Sequence, residues 1–242
     1  MKDRAQTALI IFAKAPIPGQ VKTRLSPPLT PDEAATLHGS FVLDTLERTK
    51  IAAVNLKLPL DRYLACAPSA THVFFKIMEE RQGVKLIDQV GDDLGARMNQ
   101  AFQTLFAHGY RQILLIGTDV PTLPLAHFKQ ALTSLENHDL VLGPALDGGY
   151  YLIGLKRPNP ELFVDIPWST DQVLRLTQEK AVMLGLASAL LEPWRDMDTL
   201  ADLQALSEAC TAEAKKPKND RVFSSRTAGV LQALAKRLRS RA

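Results

Sequence analysis

The sequence predicts an α/β fold in which a mostly parallel, twisted sheet is covered by helices on both faces. Three observations predict it. Short apolar runs alternate with longer segments of helical spacing along the chain. Pro, Gly and Asp punctuate the boundaries between them. The 242 residues, 46% hydrophobic and 23% charged, suffice for one sizeable core, and neither a repeat nor a low-complexity segment suggests another architecture.

Strands are expected at 7–13, 62–67, 84–87, 112–117, 139–143, 150–155 and 189–191. The first, Ala8-Leu-Ile-Ile-Phe-Ala13, is cut off by Lys14, which makes it a strand instead of a signal sequence. A helix opens at Thr30-Pro31-Asp32-Glu33, where a cap, a first-turn Pro and a reciprocal Glu form a capping box, and it runs to about residue 50. A second helix spans 96–108, with Met98, Ala101, Phe102, Leu105 and Phe106 on one face and Gly109 as its stop. Between 139 and 155 two strands are joined through Pro144 and the Gly148-Gly149 pair, so an antiparallel element is expected to interrupt the winding.

Composition excludes several classes. No apolar run approaches the roughly 20 residues of a membrane helix, and the expected location is the cytoplasm. Cys66 and Cys210 stand alone, without the neighbours of a zinc site or a disulfide framework. The last 32 residues carry a net +7 and the first 210 a net −4. Residues 1–210 are therefore expected to form the main domain, and 211–242 a basic linker (215–220) followed by a helix with Val230, Leu231, Leu234 and Leu238 at helical spacing. Such a helix could touch nucleic acid or acidic lipid. Basic residues near a helix C-terminus also suit its dipole, so packing on the body or on a partner subunit, as in a homodimer, is the expectation, with no nucleic-acid partner.

Four segments carry chemistry. Asp119 follows the most apolar strand, with Pro121 just behind it, and the C-terminal tip of a buried strand is where open α/β sheets bind ligands. A metal ligand is one reading; a helix cap or Asx-turn is the other. After the first strand comes Lys14-Ala-Pro16-Ile-Pro18-Gly19-Gln-Val-Lys22-Thr23-Arg24, whose three cations can converge on an anion or remain a solvated surface. The segment fits neither the P-loop nor the dinucleotide glycine pattern. Asp147-Gly148-Gly149 allows a ligand near the backbone, or is simply a hairpin turn. Trp194 to Thr199 reads as a short strand ending in Asp196 and Asp198 on one face, just before a helix; capping explains one of these acids and not both.

Taken together, Phe12-Ala13-Lys14-Ala-Pro16, Val21-Lys22-Thr23-Arg24-Leu25, Gly91-Asp92-Asp93-Leu94-Gly95-Ala-Arg97-Met98, Gly117-Thr118-Asp119-Val120-Pro121, Gly143-Pro144 with Asp147-Gly-Gly-Tyr150, Trp168-Ser169-Thr170 and Asp196-Met-Asp198-Thr199 resemble a bacterial group in the nucleotide-diphospho-sugar transferase (GT-A) superfamily, often labelled glycosyltransferases. The resemblance covers about residues 9–206. More distantly, the chain is similar to 2-phospholactate guanylyltransferases and molybdopterin nucleotidyltransferases. It departs from the superfamily in its Pro-containing first loop and in Thr199-Leu-Ala-Asp202, where relatives often have Thr-Pro-Glu-Asp.

What the resemblance implies is a three-layer GT-A domain that binds Mg²⁺ or Mn²⁺ and a nucleotide, and transfers part of it to a small-molecule acceptor. By position, Asp119 and Asp198, with Asp196 in reserve, match the metal ligands; Lys14, Lys22, Arg24 and Asp147 match the catalytic groups. Ala13, Thr23, Gly91, Asp92, Leu94, Gly95, Thr118, Gly148, Gly149, Trp168, Ser169 and Thr170 match positions around nucleotide and substrate. Two carboxylates with phosphate oxygens suit a hard cation. Three cations in the first loop suit a triphosphate, which favours nucleotidyl transfer to a phosphate or hydroxyl acceptor. Glycosyl transfer from a nucleotide-sugar is the alternative, and a nucleotide-binding module without catalysis is the third class.

Overall fold

The computed structural model describes residues 6–55, 57, 60–213 and 224–239. Seven strands form one sheet: β1 (Thr7–Lys14), β2 (Leu60–Ala67), β3 (Lys85–Asp88), β4 (Gln112–Ile116), β5 (Leu140–Pro144), β6 (Tyr150–Leu155) and β7 (Ser188–Leu190). Their order is β3-β2-β1-β4-β6-β5-β7. Neighbours pair in parallel except β6, which runs antiparallel to both β4 and β5. The expected antiparallel interruption is thus a tight β5–β6 hairpin in an otherwise parallel sheet.

Helices α1 (Pro31–Asn55), α2 (Val73–Gln82), α3 (Leu94–Ala107), α4 (Leu125–Asn137), α5 (Val173–Met183), α6 (Leu200–Glu213) and α7 (Ser225–Arg239) surround the sheet. Alternation along β1 decides which face each residue serves. Leu9, Ile11 and Ala13 join Val42 and Leu46 of α1, Phe75 of α2 and Phe128 of α4 in one core layer. Ala8, Ile10 and Phe12 join Met98, Phe102 and Leu105 of α3 and Ala181 of α5 in the other. Because both faces are covered, β1 reads as a continuous apolar run buried from Thr7 to Ala13.

The geometry of the sheet centre makes the crevice. β1 pairs with β2 through Lys14↔Ala67, but with β4 only through Ile11↔Ile116. The end of β1 therefore outruns β4 at the point where the winding reverses, and the segments after both strands diverge there.

Local signals hold the helices. Glu33 N–H donates to Thr30 Oγ1 at 3.3 Å, and Thr30 N–H donates back to the Glu33 carboxylate at 2.8 Å, as the capping box requires. α3 begins two residues earlier than the periodicity suggests, because Asp93 caps it by accepting from Ala96 N–H at 2.7 Å. The segment before α6 departs from expectation: around Asp196 and Asp198 there is no strand, only an isolated bridge between Ala145 and Trp194. Thr199 caps α6 through Asp202, whose carboxylate accepts from Thr199 N–H at 2.9 Å, so both acids are spared that duty.

A third core cluster lies to one side. Leu231 and Leu234 of α7 pack with Leu203 and Leu206 of α6 and with Leu37 and Phe41 of α1. The linker expected at 215–220 lies outside the described residues. At the start of α7 Ser224 Oγ, with one proton to give, lies 2.7 Å from both oxygens of the buried Asp44, which also accepts from Arg226 at 2.6 Å and from the Thr227 hydroxyl. Arg237, near the other end of α7, pairs with Glu33. Among the described residues no helix is long and apolar enough to cross a membrane.

Asp44→Ala leaves two hydroxyls without their acceptor and Arg226 with only Glu47, at 3.7 Å. With Arg226 partly solvated, the expected loss is about 3 kcal/mol in urea unfolding, and a loss below about 1 kcal/mol would show that Asp44 does not anchor α7. A pH titration checks the cap of α1. Burial tends to raise the Glu33 carboxyl, but the Thr30 amide and Arg237 outweigh it and hold it below the usual carboxylate range. Its contribution is therefore present above the unfolded-chain value of about 4.3 and disappears as pH falls through the folded one. Glu33→Gln is expected to be less stable than the parent at pH 7 and equal to it at about pH 2.

Candidate active site

The loop after β4 sets one wall of the crevice. Val120 and Leu123 are buried, Pro121 stops the ladder, and Asp119 is left at the edge. Its backbone carbonyl accepts from Met197 N–H at 2.9 Å, which stitches this loop to the segment carrying Asp196 and Asp198. Met197 is buried in the third core cluster between those two acids. Two stretches nearly eighty residues apart in sequence are thus joined by one backbone bond.

The loop after β1 forms the opposite wall. Val21 and Leu25 are buried and pin it, while Thr23 and Arg24 face solvent. Lys22 lies in the left-handed region at φ 49° and ψ 38°. That conformation, sparsely used by non-glycine residues, sends its ammonium inward. The side chain is 4% exposed, with Nζ 2.6 Å from Asp119 Oδ1 and 2.8 Å from Asp198 Oδ1. Met197 O accepts a further bond from it at 2.5 Å. Lys14 and Arg24 have no ion-pair partner among the described residues and line the crevice beside it.

Charge partners shift these groups in opposite directions. Burial alone would lower the Lys22 ammonium and raise the Asp119 carboxyl, yet their mutual attraction, with Asp198 adding to it on the lysine, reverses both. Lys22 is held above its ordinary value and Asp119 below. Asp196 moves the other way: burial, then the neighbouring Asp147 and Asp198, push it up to about 6. Burial lowers the pKa of His38, and its Nε2–H donates to the Lys14 carbonyl, which can only accept, at 3.0 Å.

The crevice has two joined lobes. One, of about 380 Å³, is lined by Ala13, Lys14, Lys22, Thr23, Arg24, Leu94, Thr118, Asp119 and Asp198. The other, of about 570 Å³, shares Lys14, Arg24, Leu94, Asp119 and Asp198 and adds Asp92, Asp147, Gly149, Trp168, Ser169, Thr170 and Asp196. Sixteen of the nineteen expected positions thus border one continuous space. Gly91, Gly95 and Gly148 do not. At Gly95 a Cβ would stand 2.4 Å from Trp168 Nε1, and at Gly148, with φ +90°, 2.2 Å from the Asp171 carbonyl oxygen. The close approach these two glycines permit is to the protein's own groups.

Sequence reasoning passed over His38 and Gln89, which also line the space, as does Arg97 of the Gly91–Met98 motif, which was given no role of its own. Gln89 directly follows β3, and its amide nitrogen donates to the carbonyls of Ala13 at 3.1 Å and Ala65 at 2.8 Å. A polar residue just past a parallel strand was the available signal. His38 gave none, because it lies within a helix whose contact with Lys14 depends on packing.

Ligand oxygens of Asp147, Asp196 and Asp198 lie within 4.8 Å of one another, a donor set able to hold a metal ion. Asp198 belongs both to this trio and to the Lys22 pair. All-oxygen donors suit a hard cation.

Comparisons with known proteins agree with this architecture. A Desulfovibrio desulfuricans G20 protein, whose crystal structure is described as that of a candidate nucleotide-diphospho-sugar transferase, superposes with a TM-score of 0.83 at 32% identity, covering 98% of each chain. A 2-phospho-L-lactate guanylyltransferase from Methanocaldococcus vulcanius is 25% identical over 171 residues, 71% of this chain and 70% of its own. The CTP complex of a CMP:2-keto-3-deoxy-manno-octonic acid synthetase matches with a TM-score of 0.54 at 12% identity, covering 86% of this chain and 99% of its own, a likeness of fold. The fold is that of nucleotidyltransferase-like, GT-A proteins. With residues 50–170 matching its sequence profile, the chain belongs to the family described as uncharacterized protein conserved in bacteria, DUF2064.

Proposed function

We propose that this chain is a metal-dependent nucleotidyltransferase, moving a nucleoside monophosphate from a triphosphate to a small phosphorylated or hydroxyl acceptor with release of pyrophosphate. The observation that carries this reading is the polarity of the crevice: Lys14 and Arg24, free of ion pairs among the described residues, share a common space with Asp119, Asp147, Asp196 and Asp198. A nucleoside diphosphate-sugar brings fewer negative charges to those cations. The relative named as a guanylyltransferase supports the same reading.

In the proposed reaction an acceptor oxygen bonds to the α-phosphorus as the bond from that phosphorus to the β-phosphate oxygen breaks. Lys14 and Arg24 bind the β- and γ-phosphates and neutralise the charge that collects on the departing pyrophosphate. Asp147, Asp196 and Asp198 would hold Mg²⁺ or Mn²⁺, which supplies Lewis-acid charge at phosphate oxygens when bound. Trp168, Ser169 and Thr170 border the larger lobe and not the smaller one, and the acceptor would bind there. A phosphorylated acceptor attacks through an oxygen already ionised and needs no base. A hydroxyl acceptor would pass its proton to the second carboxylate oxygen of Asp147, since each acid of the trio offers one oxygen as ligand and Asp147 is exposed in the same lobe.

Glycosyl transfer remains the second reading, supported by the Desulfovibrio protein's description. Incubation with GTP or CTP, Mg²⁺ and small phosphorylated acids, 2-phospho-L-lactate among them, is expected to release pyrophosphate. Cleavage of nucleotide-sugars without pyrophosphate would replace the first reading with the second, and saturable nucleotide binding without turnover would leave a binding module. Under the first reading, Arg24→Ala is expected to lower kcat about 10²-fold, by analogy with the removal of one transition-state charge partner. Asp198→Asn is expected to abolish turnover. An Arg24→Ala enzyme with parental kcat would remove that residue from the phosphate site.

A further inference from the structure

Of the three cations in the loop after β1, Lys22 differs from its neighbours. It is buried, while Lys14 and Arg24 are exposed. Its ammonium donates to Asp198 Oδ1 and the Met197 carbonyl and pairs by charge with Asp119 Oδ1, and it also lies 5.6 Å from the Phe41 ring centroid. Asp119 Oδ1 is itself buried, and the ammonium is the charge it faces. Asp198 divides its carboxylate between this ammonium and the trio with Asp147 and Asp196. A divalent ion entering that trio would share Asp198 with an ammonium a few ångströms away, and the two cations would repel each other.

We propose that the Lys22 ammonium is the resident cation of the Asp119–Asp198 pair in the unloaded protein, and that it is handed to the nucleotide's phosphates when a divalent ion takes the carboxylates. This rests on the nucleotide reading of the crevice. The transfer needs no backbone movement, because a flexible four-carbon stem carries the charge and the smaller lobe beside it is lined by Lys14 and Arg24. Phosphate oxygens replace the carboxylates as charge-assisted acceptors. The consequence is reciprocal coupling: phosphates that draw the ammonium away free the acids for metal, and metal on the acids frees the ammonium for phosphate, each by the same factor. Lys22 thereby acts as a positioning residue that disfavours metal without nucleotide.

The test titrates Mn²⁺ alone into the 242-residue chain and into Lys22→Met, reading free Mn²⁺ by its electron paramagnetic resonance signal. Lys22→Met is expected to bind Mn²⁺ about tenfold more tightly than the parent, within the usual span of coupling between sites. It should also melt at a lower temperature without Mn²⁺ and gain more from its addition than the parent does. Equal or weaker Mn²⁺ binding by the variant would overturn the proposal. Should Lys22→Met not fold, Lys22→Gln, which keeps a donor and removes the charge, is judged by the same criterion. A separate arm measures GTP and CTP binding to the parent with Mn²⁺ present: binding there with no gain in the variant sinks the Lys22 exchange alone. Failure of both nucleotides to bind the parent overturns the nucleotide reading, and the exchange with it.

Discussion

One buried ammonium joins the three walls of the crevice. Lys22 comes from the loop after β1, Asp119 from the loop after β4 and Asp198 from the approach to α6, and the pairings of 2.6 and 2.8 Å bring them together. Removing such charges from water is costly unless attraction and hydrogen bonding offset it. Here the offset comes from two carboxylates and a carbonyl on one cation, with Met197 N–H bonding to Asp119 O alongside. The same ammonium separates the behaviour of the acids. Asp119, facing the cation, is held below the usual carboxylate range, while Asp196, half-buried and beside other acids, is pushed up to about 6. Divergent environments for neighbouring carboxyls recur where they serve different roles.

The core supports that arrangement from behind. Leu25, three residues beyond Lys22, and Met197, next to Asp198, bury in one cluster with α1, α6 and α7. The loop bearing the cation and the segment bearing the acid thus rest on a shared apolar base. α7 is fixed to it by Leu231 and Leu234 and by the bonds of Ser224, Arg226 and Thr227 to Asp44. The C-terminal helix, far from the crevice in sequence, packs against the same layer that positions two of its charges. On the other side, Trp168 is seated against Gly95 and stacks on Phe163 at 6.5 Å, which fixes the wall of the larger lobe.

Much of the fold is legible in the sequence because its signals are local. Strand period, apolar runs and punctuation mark all seven strands to within a few residues, and Thr30-x-x-Glu33 marks the start of α1 through a reciprocal bond that needs no distant partner. The segment 194–198 misleads for the opposite reason. Its alternation resembles a strand, yet apart from the Ala145–Trp194 bridge it lies outside the sheet ladder, and Met197 N–H is spent on Asp119 instead. The glycines mislead in a subtler way: a missing Cβ is visible in the sequence, but whether a ligand or an indole fills the space is not.

By itself the sequence determined the layered α/β architecture, the antiparallel hairpin and the identity of the charged residues at the ends of β1 and β4. Periodicity, capping and turn chemistry act over a few residues, so they can be read without knowing what lies across the sheet. Only the tertiary structure decided which cation meets which acid. Lys14, Lys22 and Arg24 are equivalent as a string of charges, and the difference among them arises from a left-handed backbone at Lys22, the buried Val21 and Leu25 that pin its loop and two carboxylates delivered from elsewhere. Coulomb attraction depends on distance in space, and the chain sets that distance only once its core has packed.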